Sequence, residues 1–402
     1  MNQSQQQNVS IMATIAVFCT FGLAMGSNAI NPAMQTIIQH WAPMGVDVLT
    51  VRLMNTVPSL VVVFATILAG WLVGKYVSYR VMAIAGFAIF TIFGTLPAIF
   101  NDNFTFILVC RAFLGLGMGL VSPLGAALCF KFYDHQKAAA YVGYGAIVKN
   151  FVSIVMVAIA GVLCVMAWEL TFYVYLIGIV GLVWVIMFMP EPAPVEQPHA
   201  AGEKLKRHID SYVVIGSITM FVMMIVQFVV QISLSTWFDM LGVGGPGESA
   251  AALNFYTAAG IVASLLFGVM NKRIRRWVIP IGLLVGGIGG ILVRIGASLP
   301  VLTAGVACVG FGFMLVTPAF VSGIGKRLDP ASQALGTSIM LASINIGAFL
   351  NAYYQSALTA VFGEGYLAVG MTAIAVVFLA LAVVYLFFDP MKLPTRHSGE
   401  QQ

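Results

Sequence analysis

The chain has 402 residues, of which 60% are hydrophobic and only 8% are charged, and its mean hydropathy is +0.98. Because a soluble domain carries about 25% charged residues, this composition excludes a soluble globular protein and predicts an integral membrane protein. The formal net charge of +5 reflects basic loops between apolar segments, so it gives no reason to expect a nucleic-acid partner.

Twelve apolar stretches follow one another along the chain, each roughly 17 to 25 residues long, which is the length that crosses a hydrocarbon layer of about 30 Å. The first begins near Ser10 and no small-residue cleavage site follows it, so we interpret it as a retained helix rather than a signal peptide. The sequence therefore predicts an all-α integral membrane protein with twelve spans. These spans 1 to 12 centre near Ala24, Val62, Ile89, Met118, Val155, Ile179, Val226, Ala263, Ile288, Gly312, Ile346 and Val376.

Lysine and arginine are distributed unequally between the two sets of loops. The two termini and the loops after even-numbered spans hold fifteen of these residues, whereas the opposite loops hold none and only Arg52 and Arg294 lie near them. Cytoplasmic loops carry the excess of basic residues in membrane proteins. Both termini are therefore predicted to be cytoplasmic, in a multi-pass protein of the cytoplasmic (inner) membrane.

Residue types that catalyse reactions or bind metals are not grouped in this sequence. The five cysteines are dispersed, and the five histidines fall in predicted loops or tails. Neither a His-Glu-x-x-His helix nor a Gly-x-Ser-x-Gly turn occurs. We expect no disulfide framework, metal site or cofactor, and no enzyme activity.

Polar residues in spans 1 and 2 are the first candidates for contact with a solute. Span 1 carries Asn28 and Asn31, and span 2 carries Arg52 and Thr56 on one helical stripe. Such a stripe faces protein or water rather than lipid, so we expect these residues to line a cavity. Two alternatives stay open: the amides form hydrogen bonds between helices, and Arg52 extends to the headgroups.

The loop between spans 2 and 3 contains a recognisable motif over residues 70–80, Gly-Trp-Leu-Val-Gly-Lys-Tyr-Val-Ser-Tyr-Arg. It resembles the signature loop of the major facilitator superfamily, Gly-x-Leu-x-Asp-Arg-x-Gly-Arg-Arg, in pattern and position. Gly70, Lys75 and Arg80 fit, whereas Gly74 stands where the family has an acid. The resemblance implies a conformational loop that latches one of the alternating states, and the missing acid predicts a weak latch.

Spans 4 and 5 each carry a basic residue inside the membrane. Arg111 is followed by Gly115 and further glycines, which resembles the superfamily's span 4 motif. In proton-coupled members the matching arginine is implicated in coupling, so the resemblance implies that role for Arg111. Lys149 lies close to mid-bilayer in span 5, which lacks the Gly-Pro motif of proton-driven exporters. Intramembrane charges usually mark a solute or ion path, although an Arg111 that pairs with a carbonyl for helix packing is the alternative.

An internal repeat relates the two halves of the chain. Residues 111–123 align with residues 306–318, and the same offset of 195 pairs Asn150 with Asn345. A charged, proline-rich stretch between the halves has the composition of a linker. The resemblance implies two parallel six-helix halves with the solute site between them. The predicted domains are an N-terminal bundle at 1–189, a cytoplasmic linker at 190–210, a C-terminal bundle at 211–390 and a cytoplasmic tail at 391–402.

The repeat also identifies what differs between the halves. Val306 replaces Arg111 and Ile344 replaces Lys149, so the scaffold requires neither charge and both charges are candidates for function. In the second half the deepest polar candidates are amides, although each such residue is more often an interhelical hydrogen bond than a ligand contact. These amides are Gln227 and Gln231 in span 7, Asn254 in span 8 and Asn345 in span 11.

The acidic residues decide which solute we expect. No Asp or Glu falls in the middle of a span, whereas exporters of cationic drugs usually need an embedded carboxylate. Arg111 and Lys149 in a low-dielectric cavity favour an anionic ligand instead. The sequence therefore predicts a monomeric secondary transporter, surrounded by membrane lipid, that moves a small or amphiphilic organic anion, with a proton or another ion as coupling partner.

Other functions stay open at this point. Multidrug efflux coupled to protons is an alternative, because the resemblance is stronger to the superfamily's bacterial exporters of drugs and organic solutes than to its sugar-transporting branch. A membrane sensor without flux fits a degenerate signature loop. A membrane-embedded enzyme would need a nucleophile and base, or a metal cluster, within a helix.

Overall fold

The computed structural model describes residues 10–192, 209–328 and 330–392. Within these ranges the chain is helical and forms no β-sheet, apart from one isolated bridge between Val73 and Val77. Most of the predicted linker and residues 393–402 of the predicted tail lie outside the described residues. The α-helices are α1 (Ile11–Gly22), α2 (Met34–Trp41), α3 (Val48–Leu72), α4 (Tyr79–Thr95), α5 (Phe104–Val121), α6 (Leu124–Phe132), α7 (His135–Met166), α8 (Ile177–Phe188), α9 (Ser211–Leu241), α10 (Pro246–Arg273), α11 (Val278–Ile295), α12 (Leu299–Arg327), α13 (Pro330–Phe362) and α14 (Tyr366–Phe387).

Eleven helical stretches of the described chain are long and apolar enough to cross a membrane. The last of them, Leu335–Phe387, has 53 residues and includes most of α13 and all of α14. The prediction of an all-α, multi-pass membrane protein is thereby confirmed.

Span 1 is not a continuous α-helix, because a long 3-10 stretch follows its first helix. After α1 the backbone follows an 11-residue 3-10 stretch, Leu23–Ala33, which contains Pro32. A second 3-10 stretch, Glu169–Leu176, precedes α8 in span 6. Runs of 3-10 helix longer than three or four residues are uncommon because their hydrogen bonds have poorer geometry, and they often mark a hinge or strain.

The chain forms two compact units. Unit 1 contains helices α1 to α8 together with the segment Pro246–Ala250. Unit 2 contains α9 and the helices that follow Ala250. Each unit is described by itself below.

Glycines allow the same close helix contact in each unit. In unit 1 a Cβ added to Gly86 of α4 would lie 3.0 Å from the carbonyl oxygen of Gly117 in α5. In unit 2 a Cβ added to Gly282 of α11 would lie 3.2 Å from the carbonyl oxygen of Gly312 in α12. Helices in membranes approach closely where such small residues face each other. The sequence repeat is therefore also a repeat of packing.

Candidate functional site

Arg111 is the charged centre of a hydrogen-bonded cluster inside unit 1, and its side chain is fully buried. Its Nε donates to the carbonyl oxygen of Met54 at 2.9 Å, and its Nη2 donates to the carbonyl oxygen of Ser27 at 3.1 Å. Its Nη1 donates to the hydroxyl oxygen of Tyr175 at 2.5 Å. These acceptors are neutral dipoles, so they satisfy the guanidinium donors without cancelling its charge.

The carbonyl of Met54 is available to Arg111 because of a proline. Pro58 lies four residues further along α3, and proline has no N–H for the usual helical hydrogen bond. Gly115 brings α5 close enough, since a Cβ there would lie 2.6 Å from the carbonyl oxygen of Pro58. Arg111 therefore supplies the donor that the proline of α3 lacks.

Tyr175 joins this cluster to the 3-10 stretch of span 1. Its hydroxyl donates to the carbonyl oxygen of Gly26 at 3.1 Å, and its ring lies 5.5 Å from the guanidinium carbon of Arg111. Sequence reasoning missed this residue. The available signal was a tyrosine inside an apolar span, where a phenol hydroxyl needs a partner.

The other polar residues predicted in spans 1 and 2 are also interior. Asn55 Nδ2 donates to Asn31 Oδ1, and both side chains are buried. Thr56 is fully buried, and its hydroxyl has no hydrogen-bond partner among the described residues. Arg52 is only 2% exposed, so the alternative in which it extends to headgroups is wrong. Asn28 is half-buried, with its Nδ2 3.7 Å from Met25 Sδ.

Lys149 differs from Arg111 in its surroundings. It lies on α7 and its side chain is partly exposed. Across the described ranges, no hydrogen bond or ion pair of its ammonium group is found. Two ion pairs within these ranges, Lys137 with Asp134 and Arg327 with Asp210, lie near helix ends.

Unit 2 holds an uncharged polar cluster built on Gln227, which is fully buried. The hydroxyl of Tyr256 donates to Gln227 Oε1 at 2.9 Å, and Gln231 Nε2 lies 3.3 Å from the same oxygen. Gln227 Nε2 in turn contacts Met224 Sδ at 2.9 Å. The two glutamines predicted from span 7 are thus brought together, and Tyr256 completes the cluster.

Two further amides predicted in unit 2 have different environments. Asn254 is half-buried, and its Oδ1 is a buried atom without a partner in the described parts of the chain. Asn345 is half-buried, and its Nδ2 donates to the carbonyl oxygen of Leu341 in its own helix at 3.0 Å. Both amides retain hydrogen-bonding capacity.

The conformational loop after α3 has a tight turn at Gly74. Its φ is +77°, which glycine adopts without strain, and its N–H donates to the carbonyl oxygen of Val77 at 2.8 Å. Gly70 lies exposed near the end of α3, and the Lys75 ammonium lies 4.8 Å from the ring centroid of Tyr76. Most residues with a Cβ adopt this conformation only at a cost, so the turn favours glycine at residue 74.

Arg80 and Glu191 connect that loop to the end of span 6. The Glu191 carboxylate accepts the backbone N–H groups of Tyr79 and Arg80 at 2.8 and 2.9 Å, where an anion complements the start of α4. The guanidinium of Arg80 donates to the carbonyl oxygen of Ile186 near the end of α8. Loop, α4 and α8 are therefore held together within unit 1.

A repeated helical fold made of long apolar helices defines a multi-pass membrane protein, and its buried polar and charged side chains are typical of a functional interior. The sequence model of the Major Facilitator Superfamily matches residues 16–255 and 242–402. The chain belongs to this superfamily; it is a membrane transporter and not an enzyme. The resemblance to this superfamily noted in the sequence is thereby confirmed.

Solved structures of transporters share this fold over nearly the whole chain. The POT family transporter PepTSo has 13% identity and a TM-score of 0.69, with 94% of this chain and 96% of that chain covered. A variant of the nucleoside transporter NupG has 12% identity and a TM-score of 0.72, covering 95% and 100%. A bacterial homolog of the human lysosomal transporter Spinster has 14% identity and a TM-score of 0.73, covering 95% and 98%. No relative is found among curated proteins.

Proposed function

We propose that this protein is a secondary active transporter that moves a small or amphiphilic organic anion by alternating access across the cytoplasmic membrane. The observation that carries the proposal is the charge balance inside unit 1. Arg111 and Lys149 lie inside the spans of helices α1 to α8, and the described residues of those spans contain no acidic residue except Glu169 at the start of one of them. The charges of Arg111 and Lys149 have no acidic partner within those spans, and such charges attract an anion.

The proposed topology has twelve crossings with both termini in the cytoplasm. The stretch Leu335–Phe387 supports it, because 53 residues at about 1.5 Å per residue are more than twice the length that one crossing needs. The 3-10 turn Gly363–Gly365 divides this stretch and contains the acidic residue Glu364. The basic residues of the termini and of the loops after even-numbered spans support the orientation.

Lys149 is the residue that we propose to contact the anion. Its ammonium is a compact charge with three hydrogen-bond donors. Among the described residues it forms no hydrogen bond or ion pair. Arg111 has all its observed contacts inside unit 1, so we propose that it positions span 1 and contributes its field rather than contacting the solute. Its role in coupling remains a proposal.

The remaining solute contacts are proposed from the polar side chains of the spans. In unit 1 they are Asn28, Asn31, Arg52 and Thr56, among which the Thr56 hydroxyl has an unused donor. In unit 2 they are uncharged amides, which suit the polar groups of an organic solute beside its charge. These amides are Gln227, Gln231, Asn254 and Asn345.

Transport of labelled carboxylates into proteoliposomes tests the proposal. Once a substrate is found, Lys149→Met should weaken the affinity for it by 10- to 100-fold. This is the effect expected when a hydrogen bond to a charged group, of about 1.5–3 kcal/mol, is lost. Lys149→Arg should retain part of the activity. Lys137→Met is the matched control, because it removes the same charge from an exposed end of α7. Unchanged transport by Lys149→Met would remove the assignment.

Proton-coupled multidrug efflux is the second candidate, because Arg111 matches the motif of proton-coupled members. An apolar drug needs few polar contacts, and the apolar side chains of the spans can supply many apolar contacts. The same proteoliposomes distinguish the two functions. Proton-driven export of lipophilic cations, with no flux of carboxylates, would favour efflux over anion transport.

A further inference from the structure

A cavity of about 220 Å³ lies in unit 2 at the end where α10 finishes and α11 begins. Arg275, Arg276 and Lys326 line it, and Asp389 is the acidic residue among its lining groups. The three basic residues are exposed to the surroundings. The charged lining is therefore positive on balance.

At the corresponding position of unit 1, the start of α4, the protein itself supplies an anion. There Glu191 binds the N–H groups at the start of α4, beside the contact from Arg80 to the carbonyl of Ile186. Arginine and carboxylate act together to close the junction between the start of α4 and the end of α8.

Unit 2 repeats only the arginine part of this arrangement. Arg276 Nη2 donates to the carbonyl oxygen of Leu386 near the end of α14 at 2.9 Å. Asp389 Oδ1 instead accepts the backbone N–H of Met391 at 3.0 Å. The start of α11 thus has a basic cavity where the start of α4 has a bound carboxylate.

We propose that this cavity binds the phosphate group of an anionic phospholipid. Arginine side chains match phosphate oxygens with paired donors, and basic pockets between transmembrane helices bind anionic headgroups. Trp277 beside the cavity is 47% exposed, and Phe387 is 84% exposed. Exposed tryptophan is enriched at headgroup level. The flanking apolar side chains therefore favour a lipid over a soluble phosphate.

Trp277 is also a reporter for the bound lipid, because its ring lies 5.5 Å from the guanidinium carbon of Arg276. Bromine-labelled phosphatidylglycerol and phosphatidylcholine are compared as quenchers of the full-length protein in nanodiscs. Subtracting the signal of Trp277→Phe isolates this residue from the other tryptophans. The anionic lipid should quench at a mole fraction about fivefold or more below the neutral lipid, the effect of one or more basic contacts.

Two double variants with equal charge changes decide whether the cavity is responsible. R275Q/K326Q should abolish the preference for phosphatidylglycerol, whereas K272Q/R273Q removes two exposed charges from the same end and should keep it. Equal loss in both variants would overturn the proposal, as would a preference retained by R275Q/K326Q. Raised thermal stability in inorganic phosphate without any lipid preference would assign the cavity to a soluble anion and overturn the lipid. Displacement of the brominated lipid by inorganic phosphate in the wild type and in K272Q/R273Q, but not in R275Q/K326Q, would support it.

Discussion

Arg111 Nη1 lies 2.5 Å from the hydroxyl oxygen of Tyr175, and the same hydroxyl donates to the carbonyl oxygen of Gly26 at 3.1 Å. One phenol group therefore links α5 and span 6 to the 3-10 stretch of span 1. The link is buried, so each of its partners depends on the others for hydrogen bonding.

Tyr175→Phe should destabilise unit 1 by about 1–3 kcal/mol, because it leaves one guanidinium N–H and the Gly26 carbonyl without a partner in the interior. The ring remains, including its contact with Phe90 at a centroid distance of 5.4 Å. Chemical unfolding in detergent measures the loss. Tyr173→Phe is the control, because Tyr173 is a partly exposed tyrosine of the same stretch. Equal losses in both variants would contradict the link.

Pro58→Ala should make the protein less dependent on Arg111. The new N–H can bond to the Met54 carbonyl, which Arg111 Nε now reaches at 2.9 Å. Arg111→Met should therefore cost less stability in the Pro58→Ala background than in the wild type, with a coupling of roughly 0.5–3 kcal/mol. A double-mutant cycle on unfolding free energies measures it. Strict additivity would show that the proline gap does not determine the contact.

Arg111→Met should impair gradient-driven transport more than solute counterflow, if Arg111 positions span 1 and serves coupling. Counterflow needs binding and exchange only, whereas net transport also needs the coupled return. Both assays use the same proteoliposomes. An equal loss in the two assays would indicate that Arg111 contacts the solute or only supports the fold.

Gly74→Ala should destabilise the loop by about 1–2 kcal/mol, because a φ of +77° is costly for a residue with a Cβ. The added Cβ would also lie 3.3 Å from Tyr79 Cε2. Gly70→Ala is the matched control: that Cβ meets nothing within 4 Å and alanine favours the helix. Gly74→Asn should cost less than Gly74→Ala, since asparagine tolerates this conformation better. Identical unfolding temperatures for all three variants would refute the strain.

Gln227→Leu should destabilise unit 2 by about 1–3 kcal/mol, because it leaves the Tyr256 hydroxyl buried without its acceptor. The additional change Tyr256→Phe should restore part of this loss, since removing both partners of a hydrogen bond is close to neutral. Unfolding midpoints of the two single variants and the double variant give the result. If the double variant lost as much stability as the two single variants together, or more, the result would argue against the pair.

The spans and the repeat could be predicted because they depend on apolar length and on residue order, both of which one sequence contains. The close contacts of Gly86 and Gly282 then follow from small residues at matching positions of the two halves. Arg111 could be identified as buried and unusual for the same reason. Its acceptors could not be identified, because they are backbone carbonyls of Met54 and Ser27 on other helices.

The role of Glu191 could not be predicted either. Its carboxylate contacts the start of α4, which comes more than a hundred residues before Glu191 in the chain. Only the packing of α8 beside α4 brings Glu191 to that helix. The missing acid at Gly74 was visible in the sequence, but the positive φ that favours glycine there was not. Backbone conformation and interhelical distance thus account for what the sequence did not predict.

The 3-10 stretch of span 1 makes that span longer than an α-helix of the same number of residues. A 3-10 helix rises about 2.0 Å per residue and an α-helix about 1.5 Å, so the 11 residues of Leu23–Ala33 are roughly 5 Å longer than the same residues would be as an α-helix. Arg111 and Tyr175 hold the carbonyls of Ser27 and Gly26 within this extended form. If those two carbonyls were released, the stretch could convert to an α-helix. It would then be shorter and would draw α1 and α2 together by about one helical turn, without breaking either helix.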